Sequence, residues 1–326
     1  MLISPGKSKT IKCINIIEKI QLGGVTQWIS IRGRDISKPI MLFLHGGPGA
    51  SRRYYNCQLE KIFIIVNWDQ RGSGNSFSEE VSKESINVEQ LIADTNDLVE
   101  FLKKKFNRKK IFLVGHSWGS FLGINTAYRY PNNFYAYVGI GQVVNGKMNE
   151  RISYNYTLDM ARKYNNIKAI EELTTISRIE EGLYCNGRTG IHKEREWLYE
   201  LGECKSKKMS FFRWLNSVRT KKIFSLDKVQ YKKGLNFTAE NLWGWSDNVD
   251  LFSQIPQINV PTFILTGRYD YVSTFELASK YYNQLKAPIK ELIWFEWSSH
   301  APHIEEPVKF YKIMNRVLNV CFNKSI

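Results

Sequence analysis

Cysteine is sparse in this 326-residue chain, and the five present (Cys13, Cys57, Cys185, Cys204 and Cys321) are odd in number and scattered, with no Cys-x-x-Cys. That spacing signals neither a disulfide framework nor a zinc site, and it fits a reducing cytoplasm. No stretch approaches 18 uninterrupted apolar residues, and the opening Met1-Leu-Ile-Ser-Pro-Gly-Lys-Ser-Lys-Thr10 lacks the apolar run of a secretory signal. Membrane insertion and secretion are therefore not expected. Acids are in deficit, 31 Asp and Glu against 46 Lys and Arg, for a formal net charge of +15. The excess peaks between Cys204 and Lys233, where ten Lys or Arg face one acid, Asp227, with Phe211, Phe212, Trp214 and Tyr231 interleaved. A nucleic-acid surface has this look. Lysine is common along the whole chain, however, so a general residue bias is the simpler reading and no nucleic-acid partner is expected. A weak attraction for anionic substrates or surfaces stays open.

What is present is a large apolar fraction, 43% of residues, enough for one sizeable core with an insertion. Ile14 to Leu22 and Val25 to Ile31 flank Gly23-Gly24 as an opening hairpin, and Ile40 to Leu44 and Ile62 to Val66 read as buried strands. Val88 to Phe106 spaces Leu91, Ile92, Leu98, Phe101 and Leu102 as one face of a helix. A strand at Ile111 to Val114, a helix from Trp118 to Arg129 and a strand at Tyr135 to Ile140 follow. From Gly141 to Asp250 the alternation breaks into helical periodicity. It resumes with strand Thr262 to Thr266, a helix around Phe275 to Gln284, strand Glu291 to Phe295 and a last helix from His303 to Leu318. Alternating strands and helices predict an α/β fold with a mostly parallel sheet covered on both faces. Residues 1–141 and 251–326 then form the core, and residues 142–250 form an inserted helical cap.

The strand at Ile111 runs straight into Gly115-His116-Ser117-Trp118-Gly119. A serine in Gly-x-Ser-x-Gly rides a sharp strand-to-helix turn, with small residues on either side because backbone and first helical turn crowd together. Ser117 is thus a candidate nucleophile. His45-Gly46-Gly47-Pro48-Gly49 ends another strand. Read alone it is equally a tight Gly-Pro turn; beside a nucleophile, the Gly47 and Trp118 N–H groups become candidates for the oxyanion hole, which stabilises charge on a reacting carbonyl. Trp68-Asp69-Gln70-Arg71-Gly72-Ser73-Gly74 lacks the third glycine of a dinucleotide loop, and Asp69 with Arg71 reads as a structural pair beside the nucleophile. No cofactor or metal is expected.

A serine hydroxyl needs a base, and the base needs an orienting carboxylate. Of five histidines, His45 and His116 sit inside the glycine turn and the elbow, and His192 sits in the insertion. His300, in the loop after the last strand, is preferred to His303. The latter would open a helix whose positive end disfavours an imidazolium, and it reads as a capping or supporting residue. Asp270 directly follows strand Thr262 to Thr266 and is the candidate acid, whereas Asp247 and Asp250 precede that strand and read as solvated.

Taken together, His45-Gly-Gly-Pro-Gly49, Asp69-Gln-Arg-Gly-x-Gly74, Gly115-x-Ser-Trp-Gly-Ser120, Gly267-Arg-Tyr-Asp270 and Ser299-His300 resemble the proline iminopeptidase branch of the α/β-hydrolase superfamily. The resemblance spans nearly the whole core. It implies the α/β-hydrolase fold with an eight-stranded sheet, a triad of Ser117, Asp270 and His300, no cofactor, and a helical cap that shapes the substrate pocket. Two features depart from the branch: Gly115-His116 stands where it usually has Gly-Gly, and the Trp-x-x-Trp-Glu cap stretch of one major subgroup is missing. An aminopeptidase must hold a cationic amine, and a desolvated ammonium needs a carboxylate. Glu180, Glu181, Glu194, Glu196, Glu200, Glu203 and Glu240 are the candidates, though each reads first as a solvated helical residue. Trp197, Trp214, Trp243 and Trp245 could line an apolar pocket or pack the core. Gly46, Glu200, Glu203 and Trp214 are carried forward as candidate substrate contacts. The substrate expected is a short peptide with N-terminal proline or another small residue. A small acyl ester on the same triad is the alternative, and a non-catalytic binding module is the reading from a different class.

Overall fold

Strands whose apolar residues are buried on both faces form the centre of the molecule. The computed structural model describes residues 12–51, 54, 56–176, 184, 187–202, 228–242 and 244–322. Its strands are β1 (Ile14–Leu22), β2 (Val25–Gly33), β3 (Ile40–Leu44), β4 (Ile64–Asp69), β5 (Ile111–His116), β6 (Phe134–Ile140), β7 (Thr262–Gly267) and β8 (Lys290–Phe295). They make one eight-stranded sheet in the order β1-β2-β4-β3-β5-β6-β7-β8. Pairing is antiparallel only where β2 meets β1 and β4, and parallel from β4 through β8.

The helices are α1 (Val88–Phe106), α2 (Trp118–Arg129), α3 (Gly146–Lys163), α4 (Ile167–Thr175), α5 (Gly187–Leu201), α6 (Lys228–Asn241), α7 (Leu251–Gln254), α8 (Phe275–Gln284), α9 (Pro302–Glu305) and α10 (Pro307–Cys321). Because side chains alternate along a strand, β3 divides its residues between the two faces. Leu42 and Leu44 join α1, α2 and α8 in one core, while Met41 and Phe43 join α10 in the other. Asn87 starts α1 by accepting from the Gln90 N–H, and Asn107 ends it in the left-handed conformation at φ 50°. No helix among the described residues is long and apolar enough to cross a membrane.

Two boundaries differ from the sequence reading. Ile62 and Phe63 close a short turn of 3-10 helix, so β4 starts at Ile64 and runs on through Trp68 to Asp69. The last helix is broken: Pro307 pushes Glu306 out of the helical region to φ −124°, ψ 63°, leaving α9 as a separate turn. Between β6 and β7, ahead of the short α7, the described residues form helices α3 to α6. The last of these lies over the loops after β3 and β4: the Thr238 hydroxyl donates to Gly72 O at 2.9 Å and the Gln230 amide to Phe77 O at 2.7 Å. A Cβ on Gly49 would stand 2.8 Å from the Thr238 side chain.

Candidate active site

The chain turns from β5 into α2 at a single residue, Ser117, whose φ of 56° and ψ of −122° are strained for a side chain with a Cβ. The turn fits only because its flanks are glycine. A Cβ on Gly115 would fall 2.0 Å from Gly119 O, and one on Gly119 would fall 2.3 Å from Leu44 O. The Ser117 N–H is held by Ile140 O at 2.9 Å, and the Ser120 hydroxyl donates to Ser117 O at 2.6 Å. A sharp turn so braced presents the Ser117 side chain at the carboxyl edge of the sheet.

Asp270 and His300 arrive at the same edge from the ends of β7 and β8. Asp270 is fully buried, and one of its carboxylate oxygens accepts from the Val272 and Ser273 N–H groups at 3.0 and 2.9 Å. Both oxygens lie within reach of His300 Nδ1, at 3.1 and 3.0 Å. With Nδ1–H donated to the carboxylate, Nε2 is left to act as base. A Cβ on Gly141 would meet Asp270 Oδ2 and the His300 ring at 3.1 Å, and Gly141 follows the residue that holds the Ser117 N–H. Among the described residues the Ser117 hydroxyl makes no hydrogen bond to the His300 ring; such contacts commonly tighten when substrate binds.

His303 is buried, and burial with the neighbouring His300 lowers its pKa from 6.5 to about 3. It therefore stays neutral, packed against Phe43, Tyr54, His116 and Phe310. It supports the site as a ring, while the contact to Asp270 belongs to His300.

At the end of β3, Gly46 is buried, and a Cβ there would stand 3.1 Å from Ser117 Cβ. Gly47 is exposed at φ 126°, where a Cβ would strike the Gly49 and Ala50 N–H groups at 2.7 and 2.6 Å. Neither the Gly47 N–H nor the Trp118 N–H has an acceptor among the described residues.

A family model described as alpha/beta hydrolase fold matches residues 39–166. Over 324 residues the chain is 32% identical to a protein of Bacillus subtilis named probable aminopeptidase YbaC, covering 94% of this chain and 96% of that one. The chain belongs to the α/β-hydrolase family. Its likeness runs to the proline iminopeptidase branch: a Clostridioides difficile protein of that name is 27% identical over 290 residues, covering 86% of this chain and 90% of the relative. The crystal structure of a proline iminopeptidase from Mycobacterium smegmatis shares the fold, with a TM-score of 0.66, 14% identity, and coverage of 95% of this chain and 100% of the other.

In this α/β-hydrolase the expected pairing of Asp69 with Arg71 does not form. Arg71 is buried and reaches α1, where Nε and a terminal nitrogen contact the Asp94 carboxylate at 2.7 and 2.9 Å. Asp69 instead accepts from the Ser51 hydroxyl and from the Asn75 N–H. The residue between them carries more than the sequence reading gave it. Gln70 donates from its side chain to His45 O at 3.1 Å and accepts from the Trp118 indole N–H at 2.9 Å, tying together the two segments that carry Gly47 and Trp118.

The cap candidates divide. Glu194 is buried against Arg195, Ser153 and Thr157; Glu196 pairs with Lys193; Glu240 pairs with Arg188. Glu200 is exposed on α5. Glu180, Glu181, Glu203, Trp214 and Trp243 lie outside the described residues, as does most of the basic stretch 204–233. Trp197 is buried with its indole N–H on Glu172, and Trp245 meets Trp118 edge-on at 4.6 Å. Asp250 caps α7 through the Phe252 N–H. Asp247 corrects the expectation of a solvated acid. It is half-buried, and burial, opposed by Lys147 and reinforced by Glu150, raises its pKa above the ordinary carboxylate value. The two charges that act on it, Lys147 and Glu150, both sit on α3, distant in the chain.

Proposed function

We propose that this α/β-hydrolase is a serine hydrolase that releases N-terminal proline or another small residue from short peptides. The observation that carries the reading is the contact of buried Asp270 with His300 Nδ1 at 3.0 Å, on the sheet edge that also bears the strained Ser117 turn. His300 Nε2 takes the Ser117 proton as the hydroxyl oxygen attacks the carbonyl carbon, and Asp270 stabilises the imidazolium that forms. The Gly47 and Trp118 N–H groups hold the developing oxyanion. The imidazolium then protonates the leaving amine, and water, activated by His300, releases the acyl group from Ser117. Residues 142–250 act as a cap over the core formed by residues 1–141 and 251–326.

A substrate amine would find its carboxylate at Asp247, two residues after the Trp245 ring that lies against Trp118. A second reading, hydrolysis of a small ester, is favoured by one observation: Glu194, Glu196 and Glu240 are each paired with a cation of the cap itself. Initial rates on proline-naphthylamide, alanine-naphthylamide and a short-chain nitrophenyl ester, with S117A as the blank, test both. Amide cleavage lost in S117A, with KM raised in D247N for the amides and not for the ester, is the expected result. Ester turnover without amide turnover would retire the peptidase reading, and S117A as active as the parent would retire the triad.

A further inference from the structure

Asp270 holds His300 only by the ring, at Nδ1. A ring tethered at one edge can still pivot unless its backbone is fixed, and two other side chains fix it. Glu305, at the end of α9, accepts from the Ser299 N–H at 2.7 Å with one carboxylate oxygen and from the Ala301 N–H at 2.9 Å with the other. Its carboxylate thereby spans the peptide groups on both sides of His300. His116 meets the carbonyl side of that same 300–301 peptide: its Nε2 is 2.8 Å from His300 O, and its ring is 4.8 Å from the His300 ring. A carbonyl only accepts, so this nitrogen of His116 carries the proton. His116 is the residue before Ser117, so the same contact joins the loop of the base to the turn of the nucleophile. The adjacent Glu306 accepts from the Trp297 N–H at 3.1 Å and the Ser298 hydroxyl at 2.7 Å, which anchors the start of the same loop.

Glu305 is half-buried, and burial, reinforced by nearby Asp270 and opposed by the two N–H bonds and His300, raises its pKa above the ordinary carboxylate value. We propose that Glu305 is a positioning residue for His300, holding residues 299–301 so that the imidazole stays in line between Asp270 and Ser117, with His116 as the opposing tether. The proposal rests on reading Ser117, Asp270 and His300 as the catalytic set.

The test measures Ser117 labelling by a fluorophosphonate, together with kcat and KM on a nitrophenyl ester, for the parent, E305A, E305Q, S117A and H300A. Displacing the base by about 1 Å can lower the rate roughly 100-fold. E305A should therefore lose about 30- to 100-fold in both labelling rate and kcat, with KM within about two-fold of the parent. E305Q keeps one acceptor oxygen for one of the two N–H groups and should recover part of that loss. If E305A does not fold, E305Q decides by the same split, a lowered kcat at unchanged KM. Parental labelling and kcat in a folded E305 variant, or a rise in KM with kcat intact, overturns the proposal. Activity persisting in S117A or H300A would instead remove the catalytic reading beneath it, so the two failures are separately visible.

Discussion

The burial of His303 makes acid stability a direct probe of the packing beneath the site. His303 is 3% exposed among aromatic rings, and its Nδ1 has no hydrogen-bond partner among the described residues. In the folded chain its pKa is lowered from 6.5 to about 3. Between those values the unfolded chain binds one more proton than the folded one, so stability rises with pH across this window. The contribution is fully present above pH 6.5 and is lost as pH falls toward 3, at about 1.4 kcal/mol per pH unit. From pH 7.5 to 4.5 the loss amounts to about 2.5 kcal/mol. H303F removes the titration and strands no partner, so at pH 7.5 its stability should lie within about 1 kcal/mol of the parent. At pH 4.5 it should exceed the parent by roughly 2.5 kcal/mol. Urea unfolding followed by tryptophan fluorescence at several pH values reads the difference, and titrating groups that do not interact with His303 cancel between the two proteins. A parent-to-variant difference that does not change with pH would mean that His303 protonates equally in both states, and the burial argument would be wrong.

Q70L should lower kcat by about ten-fold with little change in KM, because the His45 loop and the Trp118 turn lose their common tie while both backbone donors survive. Its buried Trp118 indole N–H, left without an acceptor, should also reduce unfolding free energy by about 1–3 kcal/mol. D94A strands the buried Arg71 guanidinium together with the Gln27 and Gln90 amides that share the carboxylate. Breaking such a pair from one side costs about 3–5 kcal/mol, so D94A should shift the urea midpoint strongly downward. A near-parental midpoint would show that Arg71 finds another anion or water.

The fold was legible because its signals are local. β3, β5 and β7 are apolar runs with every residue buried, α1 and α2 carry clean helical spacing, and the elbow glycines answer to contacts with backbone only a few residues away or one strand over. The meeting of the three candidate residues was legible for a related reason: Ser117, Asp270 and His300 each follow a strand, and a parallel sheet brings strand ends to one edge. What escaped notice depends on distance in the chain. Arg71 chose Asp94 on α1 over Asp69 two residues away, because the α1 carboxylate is buried beside it with Gln27 and Gln90 completing its shell. Gln70, His116 and Glu305 act largely on backbone atoms of other loops, and no spacing pattern announces such a bond. The break at Pro307 was the one local signal passed over, as it interrupts the helix expected from His303 to Leu318.

The helices between β6 and β7 leave and re-enter the core through a narrow neck. Asn145 bridges Asp250 in antiparallel fashion, the Gly146 N–H donates to Val249 O at 3.1 Å, and the Leu251 N–H donates to Val144 O at 2.8 Å. Everything threaded beyond that neck is, to the sheet, a closed loop, and doubling the length of a flexible loop costs only about 0.6 kcal/mol in closure entropy. Insertions, deletions or wholesale exchange of the intervening helices therefore disturb no ladder hydrogen bond. Selection can rewrite those helices while the sheet, and the strand ends that carry Ser117, Asp270 and His300, are inherited unchanged.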